Sequence, residues 1–128
     1  MIFIANSLVS SKSIGGGDRI YIEFARHWHS LDSPVAIFAS PEGAEVSRAN
    51  LPHYISTHVL SNIRVAQYGL LGAYIRRIIS GFRTAASLPY SNLIYSTSDF
   101  LTDVVVAWRV KILRPSTFWL AGLYLVAP

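Results

Sequence analysis

The chain has 128 residues, of which 52% are hydrophobic and only 14% charged, with eleven Lys and Arg against seven Asp and Glu. That is the size of one globular unit, and a mean hydropathy of +0.38 implies apolar surface that meets something else. The absence of cysteine excludes a disulfide framework and a thiolate metal site. The start "MIFIANSLV" lacks the basic flank and apolar length of a signal peptide.

Apolar runs of strand length alternate with helix-period stretches, which predicts an α/β fold: a Rossmann-like, mostly parallel sheet with flanking helices. "IFIAN" at 2–6 is the first strand, followed by a polar, glycine-rich loop over 7–17. In 18–31, Tyr21, Phe24, Trp28 and Leu31 fall on one helix face. The second strand is 35–39, with a turn around Pro41 and Gly43 and then room for a short helix.

Residues 53–60, "HYISTHVL", read as the third strand and 93–97, "LIYST", as the fourth. Between them, Tyr68, Leu71, Ile75, Ile78 and Phe82 have helical spacing, with core packing against the sheet as the favoured role. Gly69, Gly72 and Gly81 leave open whether this is one helix or two. The next helix has Ser98 or Asp99 as its expected N-cap and a stripe of Leu101, Val105, Trp108 and Ile112, and Pro115 stops it. "STFWLAGLYL" at 116–125 is expected as a fifth strand buried on both faces. No helix follows to cover the sheet beside it, so the domain spanning 1–128 reads as incomplete.

Net charge is +4 and pI about 9.7, and the basic residues are unevenly placed. No carboxylate lies between Glu45 and Asp99, whereas Arg48, Arg64, Arg76, Arg77 and Arg83 do. Arg64, Arg76, Arg77 and Arg83 therefore form either a solvated basic edge or a contact with an anionic membrane surface. Nucleic acid is disfavoured, because aromatic and basic residues do not interleave.

Gly15, Gly16 and Gly17 sit where a strand gives way to a helix, the place where doubly wound folds bring ligand phosphates to backbone N–H groups. Arg19 adds a full positive charge. Gly15 and Gly17 match the first two glycines of G-x-G-x-x-G, but Ile20 stands at the third, which argues against NAD or FAD, and no Gly-Lys-Ser/Thr follows as a P-loop requires. A plain connecting turn is the simpler alternative. "YSTSDF" at 95–100 is a second strand-to-helix junction on the same sheet edge. Its hydroxyls and Asp99 lie on the edge where both loops can line one crevice; Ser96 and Thr97 are the better candidates to face a ligand, and for Ser98 and Asp99 capping the helix is an equally good reading. His27 with His29, and His53 with His58, lack ligand spacing. No H-E-x-x-H or G-x-S-x-G is present.

With these landmarks, the chain resembles the N-terminal half-domain of a GT-B glycosyltransferase, close to family 4. The likeness rests on "IFIANSLVSSKSIGGGDRIYIEFARHW", on "SPVAIFASPEG" and on "NLIYSTSDFLTDVVVAWRVKILRPSTFWLAGLYLVAP", and least on residues 48–88. It implies two Rossmann-like domains around a cleft, with this chain as the acceptor-side one and a nucleotide-sugar as donor. Gly15, Gly16, Gly17, Asp18 and Arg19 would then approach the donor diphosphate. The acceptor would be a glycan or a lipid-linked molecule. It further implies no metal or other cofactor, and a missing C-terminal domain or partner chain without which this chain is inactive. A cytoplasmic location follows, including the inner face of a membrane. Relatives carry histidine after the fifth strand, where this chain has Leu123 and Tyr124. The alternative is a non-catalytic nucleotide-binding or protein-interaction module.

Overall fold

A computed structural model of the chain describes residues 1–7, 10 and 15–122. Five strands form one sheet: β1 (Ile2–Ala5), β2 (Ala36–Ala39), β3 (Ser56–Val59), β4 (Leu93–Ser96) and β5 (Phe118–Ala121). Their order is β3-β2-β1-β4-β5 and every pairing is parallel. The order reverses between β1 and β4, and such a switch point leaves a crevice at the carboxyl ends of the strands.

The helices are α1 (Gly16–Ser30), α2 (Pro41–Asn50), α3 (Val65–Thr84) and α4 (Leu101–Leu113), with a single 3-10 turn at Ala85–Ser87. Alternation along the strands divides the core in two. Phe3, Ala5, Ile37, Ala39 and Tyr95 pack with α1 and α2 on one face. Ile2, Ile4 and Ile94 pack with Val106, Ala107 and Val110 of α4 on the other. Phe3, Phe24 and Tyr95 meet edge to face with ring centroids 5.1–5.5 Å apart, which fixes α1 over β1 and β4. Tyr21 Oη and Ser47 Oγ, 3.0 Å apart, tie α1 to α2, and burial pushes the Tyr21 phenol up to about 12.

Several expectations are corrected. Pro41 and Gly43 do not form a turn after β2; they open α2, because Ser40 Oγ accepts the Gly43 N–H at 3.0 Å and proline at the first helical position loses no bond. Gly43 also lies against the end of β1, where a Cβ would stand 2.8 Å from the Ala5 carbonyl oxygen. The third strand is shorter than 53–60, since a turn precedes Ser56. α3 is broken at Gly69 (φ 68°, ψ 173°), a backbone conformation suited to glycine. α4 is N-capped by Phe100 rather than by Ser98 or Asp99, and Ser98 turns its hydroxyl elsewhere.

Strand β5 is an edge strand and is not buried on both faces: Phe118 and Leu120 are exposed on the α1 side, and Trp119 alone packs inward. Residues 123–125 of the predicted fifth strand, with Leu123 and Tyr124, lie outside the described residues.

The largest correction concerns the two helices on the second face. In α3 the buried positions are Ala73, Arg77 and Gly81, whereas Tyr68, Leu71 and Ile75 are exposed. Arg77 does not belong to a solvated basic edge. It pairs with Glu42, donates from Nε to the Ile63 carbonyl at 3.0 Å, and lies against the Asn6 carbonyl. Burial lowers its pKa, and Glu42 opposes that shift. Arg64 is likewise engaged, 2.9 Å from Glu45 at the surface.

Candidate functional site

At the switch point the strand ends converge on a cavity of about 480 Å³ lined by Ser7, Gly17, Asp18, Thr97, Ser98, Asp99 and Phe100. Ser7 follows β1, Gly17 and Asp18 belong to the first turn of α1, and Thr97 continues the β1–β4 ladder by donating its N–H to the Ile4 carbonyl at 2.9 Å. Two junctions some eighty residues apart in sequence thus share one crevice, as the parallel topology requires.

Behind the cavity wall stands Asp103, fully buried in the first turn of α4. Its Oδ1 accepts the Asn6 backbone N–H at 2.7 Å, and its Oδ2 accepts from Ser98 Oγ at 2.6 Å, Ser7 Oγ at 3.0 Å and Thr97 Oγ1 at 3.2 Å. Burial pushes the carboxyl up to about 6, against the pull of these donors. Four donors converging on one carboxyl fit its ionised form, in which the three hydroxyls point their protons at it. The Ser98 oxygen also accepts the Phe100 N–H at 3.3 Å, and the other lone pairs of the three hydroxyls are left for the cavity. With Asp18 and Asp99 on the rim, the wall is rich in acceptors, and among the described residues no Lys or Arg lines it.

Of the predicted site residues, Gly17, Asp18 and Thr97 line the cavity. Gly15, Gly16 and Arg19 are exposed beside it and do not. The Gly15 N–H is already taken at 2.8 Å by the Asp18 carboxylate, whose pKa burial raises and this bond lowers. An incoming anion would compete with that carboxylate at the start of α1. Ser96 faces away: fully buried, it accepts from Trp119 Nε1 at 3.1 Å and so braces β4 against β5. Ser98 and Asp99, for which lining the crevice and capping the helix were the two readings, are part of the wall.

Asp103, Asn6 and Ser7 did not stand out in the sequence. The readable signal was the spacing of Thr102, Asp103, Val106, Ala107 and Val110, which places two polar residues on the buried stripe of α4. Such polar groups persist in a core when their bonds are made. Asn6 Nδ2 donates to the Thr102 carbonyl at 3.2 Å and reaches the Arg77 carbonyl at 3.4 Å, linking β1 to both helices below it.

A second, apolar groove of about 540 Å³ adjoins the cavity, lined by Ser7, Leu70, Leu71, Tyr74 and Phe100. Ser7 and Phe100 are common to both. Among the described residues no three His, Cys, Asp or Glu converge as a metal site. No protein-family model matches the chain, and no curated protein or solved structure matches it either.

Proposed function

We propose that this domain is the acceptor-side Rossmann-like half of a glycosyltransferase and that its cavity holds the hydroxyl groups of a sugar. The observation that carries this reading is the acceptor-rich wall at the switch point: Ser7, Thr97 and Ser98 with their protons directed to Asp103, and Asp18 and Asp99 at the rim. A polyol donates hydrogen bonds to such a wall, whereas a diphosphate is repelled by it. The resemblance to family 4 supports the same reading, because its glycine loop and its "YSTSD" loop are the two junctions that meet here. In this proposal Arg19, outside the cavity, serves the donor's diphosphate, and the nucleotide is held by a second domain.

Saturation-transfer NMR of the chain with mono- and disaccharides, nucleotide-sugars and inorganic pyrophosphate tests it. Transfer to sugar protons is expected, with Asp99→Asn and Thr97→Val each weakening binding about tenfold. Binding of pyrophosphate with no transfer to any sugar would overturn the reading. In a protein completed by a donor domain, Arg19→Ala should slow turnover.

A non-catalytic interaction module is favoured by one feature, the uncovered Phe118 and Leu120 on β5, 72% and 44% exposed. Capture of a second protein through this face, without sugar binding, would select that alternative.

A further inference from the structure

The outward faces of α3 and α4 carry the residues a core would normally take. Leu71, Ile75 and Ile79 of α3 and Leu101, Trp108 and Ile112 of α4 are each between 47% and 71% exposed. The two helices lie side by side: Ile78, Ile79, Phe82 and Arg83 share a groove with Val105 and Trp108, and the Phe82 and Trp108 ring centroids are 6.3 Å apart. Their outward stripes form one surface. Helices apolar on the outer side as well as the inner one require a cover.

The charges on this layer say what the cover is. Arg76, Arg83 and Arg109 stand there, and the one carboxylate of the two helices, Asp103, is buried on the other side. Arg76 lies over the Tyr68 ring and Arg109 over the Phe82 ring, each at 4.5 Å. None of these three guanidiniums has a carboxylate partner among the described residues. Arg76, resting on its ring, and the exposed Arg83 keep N–H donors for phosphate oxygens. A protein partner of ordinary composition would meet a rim of both signs. An apolar patch with aromatic residues at its margin and only cations among the exposed charges of its two helices matches an anionic bilayer surface.

We infer that the α3–α4 face docks on anionic lipid, with Leu71, Ile75, Ile79 and Trp108 entering the acyl boundary and Arg76 and Arg83 meeting headgroup phosphates. No helix among the described residues is long and apolar enough to cross a membrane, and the contact is with the surface. The inference stands apart from the transferase reading and uses none of the residues of the polar cavity.

Flotation of the full chain with phosphatidylglycerol-rich vesicles tests it against vesicles of phosphatidylcholine alone. Binding to the first, weakened by salt, is expected. Ile75→Ser with Ile79→Ser, and separately Arg76→Gln with Arg83→Gln, should each lower the partition coefficient on the order of tenfold or more. These positions are exposed, so thermal melts of the variants should match the parent. Absence of flotation overturns the inference. So does equal binding to both vesicle types, or a dimer in solution that the Ile75→Ser, Ile79→Ser pair dissociates, which would make a second copy the cover.

Discussion

Asp103 accepts the backbone N–H of Asn6 at 2.7 Å, joining the first turn of α4 to the end of β1 across 97 residues of sequence. The same carboxylate gathers three hydroxyls from the cavity wall. Asp103→Ala should therefore destabilise the fold by about 3 kcal/mol, since a buried N–H and three hydroxyls lose their acceptor. Asp103→Asn keeps an acceptor for Asn6 and should cost less. Urea denaturation of the two variants decides this, and equal midpoints for Ala and Asn would refute the assigned role.

The buried carboxyl also makes a pH prediction. Its pKa rises from 3.8 unfolded to about 6 folded, so the native state binds the proton more tightly. This favours the fold fully below pH about 4, and the contribution is lost as pH climbs through about 6; the total is on the order of 3 kcal/mol. Asp103→Asn lacks this slope. The stability gap between parent and variant should move in the variant's favour from pH 4 to pH 7.5 and then stay constant. Parallel curves across that interval would show that Asp103 does not titrate as proposed.

Arg77 and Glu42 form the buried pair that joins α3 to α2, and Glu42 Oε1 also accepts the Val65 N–H at 3.0 Å. Removing one partner strands the other. Arg77→Met should cost roughly 3–5 kcal/mol, and adding Glu42→Gln should recover part of that loss. A double-mutant cycle with a coupling energy near zero would mean that the pair contributes only as separate residues.

Two glycines should respond oppositely to alanine. At Gly43 the new methyl would meet the Ala5 carbonyl oxygen at 2.8 Å, and Gly43→Ala is expected to cost about 1–3 kcal/mol. At Gly16 nothing among the described residues stands within 4 Å and the backbone is helical, so Gly16→Ala should stabilise by up to about 1 kcal/mol. Thermal melts measure both. If Gly16→Ala also leaves sugar binding intact, Gly16 is there for the chain's path and not for the ligand.

The sheet was legible because its strands are short apolar runs bounded by turn residues: β1, β2 and β4 fall within a residue or two of their expected limits. Helix orientation was not legible on the second face. A stripe such as Tyr68, Leu71, Ile75 ordinarily turns inward, and here the inward place is held by Arg77 between two small residues, Ala73 and Gly81. Periodicity locates a stripe but does not say which side the sheet lies on, and a buried ion pair can reverse it. The site was half legible for a related reason. The crevice followed from strand order, whereas Asp103 gains its importance from its distance to Asn6, which only folding creates.

The interior placement of Arg77 fixes α3 lengthwise as well as sideways. A purely aliphatic helix face can slide by one turn, about 5.4 Å, and find new partners of similar shape. The guanidinium of Arg77 must meet the Ile63 carbonyl, the Asn6 carbonyl and Glu42 together, and one turn of slip would break all three contacts. α3 therefore has a single setting along its own axis, like a key whose teeth allow one depth of insertion. Leu70, Leu71 and Tyr74 are held at a constant distance from the polar crevice, and the groove that they line opens beside it at a fixed place.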